Sequence, residues 1–358
     1  MDVSPKRESS PHTVANEIKD LIESLPDTEK GSWIKQAVEI LIRLVGEDIA
    51  TTDWKIISRT LQDLEAGLMT FQPYRHTRKV TVFGSARIAS DTEEYALAKE
   101  FSKCLAQQGF MVMTGAGGGI MAAGNEGAGR GNSFGLNIQL PFEQGANEHI
   151  YNDEKLIGFK YFFTRKLFFL RESDAIALFP GGYGTQDEAF ECLTLCQTGR
   201  QPPIPLVLID KPGGDYWKAW DRYIRHHLIQ DGLVSPDDNC IYTITDDLDV
   251  ACEAINHFYR VYHSSSYVGD LLVMRLNGEP SDAQVALLNE EFSDILVRGK
   301  FEKSPPLREE NGNGTNDLPR LVFHFNQRDL GRLYKLIRRI NEFPIAVPSR
   351  VETHPEQK

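Results

Sequence analysis

The chain has 358 residues, room for one large domain or two to three units at about 150 residues each. With 41% hydrophobic and 25% charged residues it has the make-up of an ordinary globular protein with a normal core. Its net charge of −12, from 51 acidic against 39 basic residues, repels nucleic acid and anionic membrane at long range, yet leaves a small phosphate ligand open because backbone amides can hold one locally.

From Val14 to Met69 the apolar spacing predicts helices. One runs through Ile18, Leu21, Ile22 and Leu25, a second through Ile34, Val38, Leu41, Ile42 and Val45, and a third through Ile56, Ile57, Leu61, Leu64 and Leu68. Pro73 closes this region. Strands and helices then alternate to about Arg260. Expected strands are Lys79 to Phe83, Phe110 to Met113, Ser133 to Leu140, Ala175 to Phe179 and Leu206 to Ile209. Expected helices are Tyr95 to Gln107, Met121 to Gly129, a long aromatic one from Phe159 to Arg171, Gln186 to Gln197, and Tyr216 to His227. Such alternation implies a parallel sheet with right-handed crossovers, covered on both faces. Beyond Ser264 the pattern changes to a strand (Tyr267 to Leu276), a helix (Ser281 to Ile295), a strand (Arg320 to Phe325) and a helix (Asp329 to Ile340). The polar, glycine-rich stretch Glu309 to Asp317 reads as a flexible loop, and no internal repeat is visible.

The fold class expected is therefore α/β. It is a doubly wound parallel sheet in residues 76–262, with a helical extension in 1–75 and a small α+β domain in 263–358 whose flexible loop covers 304–318. Cys104, Cys192, Cys196, Cys240 and Cys252 are few, odd in number and unpatterned, which points to a reducing compartment. Cys192 and Cys196 share a helix face and read as buried thiols. The opening MDVSPKRESSPHT has no apolar stretch, so no signal peptide is expected, and no run approaches the roughly 18 apolar residues of a bilayer span. A cytoplasmic protein is the expectation. His226 and His227 lack ligand spacing with any other cluster and read as a surface pair at a helix end; no metal and no cofactor is expected.

Three glycine turns follow strands of the central sheet, at the carboxyl ends where ligands bind in open parallel sheets. The first is Phe83-Gly84-Ser85-Ala86-Arg87, the second Thr114-Gly115-Ala116-Gly117-Gly118-Gly119-Ile120-Met121, and the third Pro180-Gly181-Gly182-Tyr183-Gly184-Thr185. Glycines permit close backbone approach, Ser85 offers a hydroxyl in the first turn, and the helices that open behind the second and third turns aim their amides at an anion. No dinucleotide fingerprint or Walker A loop is present. Glu188, in the first turn of the helix behind the third loop, is either a carboxylate compensating the helix dipole or one that reaches the sugar of a bound phosphate. Arg165 and Lys166, in an otherwise apolar aromatic helix, are either a snorkelling surface pair or cations aimed at phosphate and sugar oxygens.

From about Thr81 to Gly199, and more loosely to His227, the chain resembles the LOG family, the "Lonely Guy" phosphoribohydrolases often mislabelled as lysine decarboxylases. The resemblance rests on VFGSAR at Val82 to Arg87, TGAGGGIM at Thr114 to Met121, GLNIQLP at Gly135 to Pro141, FFTRK at Phe162 to Lys166 and PGGYGTQDE at Pro180 to Glu188. FGSAR and GLNIQLP look like its longer bacterial branch. The resemblance implies a Rossmann-like catalytic domain that hydrolyses the N-glycosidic bond of a nucleoside 5′-monophosphate, of the AMP or cytokinin riboside type, to free base and ribose 5-phosphate. It implies Arg165 and Glu188 as the catalytic pair. Substrate contacts would come from Gly84, Ser85, Gly117, Gly118, Gly119, Met121, Lys166, Gly181, Gly182, Tyr183, Gly184 and Thr185. In the second turn Ala116 stands where the family carries glycine and Gly118 where it carries proline. The resemblance further implies a homodimer or higher homo-oligomer, with the aromatic helix near Phe162 and Phe168 as a contact, and neither nucleic acid nor membrane as partner. The rival reading is a non-catalytic module on the same fold, a nucleotide sensor or a carrier of a phosphorylated cofactor such as molybdenum cofactor; a carrier has no need of Arg165 and Glu188 together.

Overall fold

The computed structural model describes residues 28–139, 145–310 and 314–346. They fall into two compact units divided between Gln62 and Asp63. The first unit holds α1 (Glu29–Val45) and the opening turns of α2 (Thr51–Phe71). α1 begins where the sequence supplies a cap, the Thr28 side chain accepting from Gly31 N–H at 3.1 Å. The helical run expected through Ile18 to Leu25 lies outside the described residues.

The second unit is built on a seven-stranded parallel sheet. Its strands are β1 (Lys79–Phe83), β2 (Met111–Thr114), β3 (Ser133–Ile138), β4 (Leu156–Phe159), β5 (Ala175–Leu178), β6 (Leu206–Ile209) and β7 (Tyr242–Thr245). They lie in the order β4-β3-β2-β1-β5-β6-β7, every pairing parallel. The chain winds outward from β1 to β4, then returns to lay β5 against the other side of β1. That reversal opens a crevice between β1 and β5 at the carboxyl ends of the strands. The helices are α3 (Glu93–Gln107), α4 (Ile120–Ala128), α5 (Phe162–Arg171), α6 (Tyr183–Gln197), α7 (Tyr216–Tyr223) and α8 (Leu248–Phe258).

Successive strand residues feed opposite faces, as the pleat requires. Val80, Val82, Ala175 and Ala177 pack with Phe101, Leu105 and Ile255 in one core. Ile176, Leu178, Leu206 and Leu208 pack with Phe168, Phe169, Cys192 and Trp217 in the other. Cys192 and Cys196 are both buried, as their shared face suggested.

The sequence reading departs from the structure at several elements. The long helix expected from Phe159 to Arg171 starts only at Phe162, because Phe159 is the last residue of a strand, β4. The Asp63 carboxylate takes the amides of Lys160 and Tyr161 between them, and so fixes the break. Phe168 is no candidate for a subunit contact: it is fully buried, with Phe71 and Phe159 against its ring, whereas Phe162 is half exposed. The helix expected to reach His227 passes at Ile224 into a π-helical turn, on which His226 and His227 are exposed.

The C-terminal region forms a second, antiparallel sheet from β8 (Tyr262–Val268), β9 (Leu271–Leu276), β10 (Leu296–Ser304) and β11 (Arg320–Phe325), ordered β10-β11-β9-β8. With α9 (Asp282–Glu291) and α10 (Leu330–Glu342) it reads ββα twice over, a repeat of architecture that the sequence does not display. The single strand expected over Tyr267 to Leu276 is a hairpin, because Gly269 at φ +61° turns the chain between β8 and β9. Within the stretch read as flexible, the Glu310 carboxylate is covered and accepts from Arg275 at 2.5 Å and Arg320 at 3.2 Å. The inner residues of α10, among them Leu333, Leu336 and Ile337, join the same core as β5 and β6.

Candidate functional site

All three glycine turns lie at one end of the sheet, after β1 and β5 on either side of its reversal and after β2 next to β1. They are joined through a single residue. Ser85 N–H donates to Pro180 O at 3.1 Å, and Ser85 O accepts from Ile120 N–H at 3.1 Å, so the first turn holds the second and third together. Ser85 Oγ accepts from Arg87 N–H at 3.1 Å and keeps its own proton for a ligand. The turns line a cleft of about 1450 Å³. It takes in every glycine expected at the site, together with Ser85, Met121, Tyr183, Thr185, Arg165 and Glu188. Lys166 is not among the lining residues. Its Nζ lies 2.6 Å from both Asp187 and Glu191 on α6. Burial opposes the charge of Lys166, but those two carboxylates outweigh it and raise the pKa.

The third turn winds directly into α6. Gly182 is its N-cap, with φ −86° and ψ −154°, and no side chain caps the helix. Helical geometry starts at Tyr183, three residues before the position expected from the sequence, so Glu188 lies in the second turn and no acid occupies the first. The dipole-compensation reading of Glu188 loses its basis, since that effect fades beyond the first turn. The loop is braced from behind: Tyr216 Oη donates to Gly181 O at 2.5 Å, and Gln186 Nε2 donates to Tyr216 Oη at 2.7 Å. Gly181 itself is closely packed, since a methyl there would fall 2.1 Å from Thr185 Oγ1. At Gly182 and Gly184 a methyl would meet nothing, so neither glycine is required by the packing.

Arg165 and Glu188 approach one another across the cleft floor, Nη2 to Oε1 3.8 Å, with both side chains largely covered. Burial pushes the Glu188 carboxyl up to about 7, the Arg165 charge working in the opposite direction. The guanidinium lies 5.2 Å from the Phe162 ring centre and 5.6 Å from that of Phe169. It also borders the second turn, where a methyl on Gly115 would be 3.7 Å from Nη1. This is a carboxyl that titrates near neutrality, next to a fixed cation and below an uncapped helix N-terminus.

Two features of the site escaped sequence reasoning. One is a buried polar knot behind the second turn. Thr114 Oγ1 donates to Asn125 Oδ1 at 2.7 Å, and Asn147 Nδ2 donates to Asn125 Oδ1 at 3.0 Å and to Gly117 O at 2.9 Å. The other is Asp63, which accepts from Lys160 and Tyr161 N–H and from Thr164 Oγ1 at the start of α5. Its only sequence signal is the four-residue spacing of Asp63, Gly67 and Phe71, the three buried residues of α2. The Ala116 departure is also recast. Ala116 has φ +61° and is fully buried, so its methyl faces the interior and not the cleft. Among the described residues no group of three or more His, Cys, Asp or Glu could hold a metal ion, and no described helix is long and apolar enough to cross a membrane.

Residues 113–255 match the family described as "Possible lysine decarboxylase". No curated protein matches the chain. Among solved structures, the structural-genomics target TM1055 is 22% identical, with 50% of this chain and 98% of that one aligned at a TM-score of 0.36. The molybdenum cofactor binding protein of Rippkaea orientalis is 17% identical over 51% of this chain and 96% of its own, at 0.38. The molybdenum cofactor carrier protein of Chlamydomonas reinhardtii is 19% identical over 51% and 97%, at 0.36. Likeness at that level carries no argument about function.

Proposed function

We propose that this chain, which carries a LOG-type domain of the family misnamed for lysine decarboxylation, hydrolyses the N-glycosidic bond of nucleoside 5′-monophosphates to free base and ribose 5-phosphate. The observation that carries the reading is the Arg165–Glu188 pair beneath the uncapped N-terminus of α6, within one cleft. The phosphate would sit on the amides of Tyr183, Gly184 and Thr185, where the helix dipole favours an anion. The ribose would then extend over Glu188, in the second turn of the same helix.

Cleavage breaks the C1′–N bond and leaves its electron pair on the base, with positive charge building on the ribose ring. Ionised Glu188 stabilises that charge and accepts a proton from the attacking water, whose oxygen bonds to C1′. The proton finally passes to the departing base. Arg165 orients the sugar-phosphate by charge-assisted hydrogen bonds and offsets charge on the leaving group. With a pKa near 7, Glu188 can give back at neutral pH the proton that it takes. Lys166 acts indirectly, tying α5 to α6 through Asp187 and Glu191.

The substrate class extends from AMP and other ordinary monophosphates to a cytokinin riboside monophosphate, and the working unit is a homo-oligomer with the exposed Phe162 face as a contact. Incubating the protein with AMP, GMP, CMP and a cytokinin riboside monophosphate and assaying ribose 5-phosphate tests the activity. Tight binding without product from any of them would remove the enzyme reading and leave a sensor or carrier in its place.

A further inference from the structure

We infer that Asp63 is a positioning residue for Arg165, so that α2 sets the geometry of the catalytic pair; this rests on the activity proposed above. α5 carries Arg165 but has no side-chain cap of its own at Tyr161. The missing anchor comes from a distant part of the chain. Both oxygens of Asp63 lie 3.0 Å from Lys160 N, and Oδ2 also accepts from Tyr161 N at 3.2 Å and from Thr164 Oγ1 at 2.5 Å. The carboxylate is buried, a costly placement without such donors, and a negative charge at a helix N-terminus is favoured by the dipole.

The same face of α2 grips α5 one turn further along. Gly67 lets the Phe168 ring in so closely that a methyl there would fall 2.3 Å from it, and Phe71 stacks on that ring at 6.0 Å. Thr164 and Phe168, four residues apart, are thus the gripped side of α5. Arg165 is the neighbour of Thr164 and points into the cleft. Any shift or rotation at the start of α5 is therefore transmitted to the guanidinium, and a displacement of about 1 Å in a catalytic group can cost about a hundredfold in rate. The phosphate loop belongs to α6 and is braced by Tyr216, so it does not depend on this anchor.

The test compares Asp63→Asn, Thr164→Val and Phe71→Leu with the wild type in the full chain. Asp63→Asn removes the negative charge and sets an amide nitrogen against the Lys160 N–H that Oδ1 accepted. The expected result is a fall in kcat of about tenfold or more with KM within about twofold. The acidic limb of the pH–rate profile should move up, because Arg165 no longer holds the Glu188 pKa down. Thr164→Val, which removes one donor and keeps the charge, should show the same pattern more weakly. Phe71→Leu should lower Tm without moving the pH profile. Unchanged kcat and pH profile in Asp63→Asn, or a loss matched by Phe71→Leu at equal Tm, overturns the inference. If the wild type releases no ribose 5-phosphate, the activity reading fails by itself. Amide exchange then decides the anchor: faster exchange at Lys160 and Tyr161 in Asp63→Asn supports it, and unchanged exchange sinks it.

Discussion

The second and third glycine turns have the same sequence grammar, a strand, a run of glycines and a helix, yet they do different things. At the second, Gly119 sits at φ +59° with Ser85 O so near that a methyl would fall 2.3 Å from it, and Ile120 N–H is taken by that same oxygen. At the third, Gly182 and Gly184 face open space and α6 starts without a side-chain cap. The second turn is a joint between loops, and the third is, in the proposed function, a cradle. A glycine required by packing and a glycine that leaves room for a ligand look alike in sequence, and only the surrounding atoms separate them.

The cradle has meaning only if Glu188 acts beneath it, so Glu188→Gln is the strongest test. Steady-state assays should show kcat lowered by about 10²–10⁴-fold, the range for loss of a positioned general base, with KM little changed. Retention of turnover would break the link between cradle and chemistry. The pH dependence sharpens the same point. Burial raises the carboxyl from its ordinary 4.5 to about 7, so a rate that needs the ionised form should fall about tenfold per pH unit below 7 and level off above it. The stability effect has the opposite sign. A folded-state pKa above the unfolded one binds the proton more tightly in the native protein. Its stabilising contribution is complete below about 4.5 and disappears as pH rises through about 7, and thermal melts of Glu188→Gln should lack that slope.

Paired alanines divide joint from cradle. Gly119→Ala puts a methyl into Ser85 O at a positive φ, and should cost about 3 kcal/mol in a denaturant melt. Gly182→Ala meets no protein atom at a φ that alanine adopts, so stability should stay within about 0.5 kcal/mol. In the cradle reading its methyl crowds the phosphate and raises KM about tenfold, equivalent to about 1.4 kcal/mol. If both variants simply melt early, or both simply bind poorly, the distinction between the turns fails.

How much of this was legible depended on the distance over which the determining contacts act. The strands β1, β2, β3, β5 and β6 are readable because short, mostly apolar runs near glycine or proline have few alternatives. β4 is not, since Leu156 to Phe159 is only four residues long and lies two residues before an aromatic helix, and the break is set by Asp63 from another element. The β8–β9 hairpin was missed because Gly269-Asp270 interrupts an otherwise continuous strand pattern by two residues. At the site, every residue named from the motifs lines the cleft with one exception. Lys166 reads as a partner of Arg165 because they are adjacent, but consecutive helix positions point about 100° apart, and that turn sends Lys166 to the carboxylates of α6. The start of α6 was placed late because glycines predict a loop, whereas Gly184 here is already helical. Asp63 was out of reach, because its partners lie about a hundred residues away, Thr164 being 101 positions on.

Ala116 gives the smallest and cleanest test of the joint. A non-glycine residue at φ +61° carries a strain of about 1–2 kcal/mol relative to glycine. The methyl is not idle. It fills the space over β3, where a Cβ on Gly135 would lie 3.0 Å from it. Ala116→Gly therefore relieves backbone strain but removes a buried methyl worth somewhat less, about 0.8 kcal/mol. The greater freedom of the unfolded glycine subtracts a little more. The net should be a stabilisation of no more than about 1 kcal/mol, read as a small rise in denaturant midpoint at unchanged m. Because the methyl is buried away from the cleft, KM and the order of preference among AMP, GMP and CMP should not move. A changed base preference would mean that the second turn reaches the ligand through its backbone, and that it is a cradle after all.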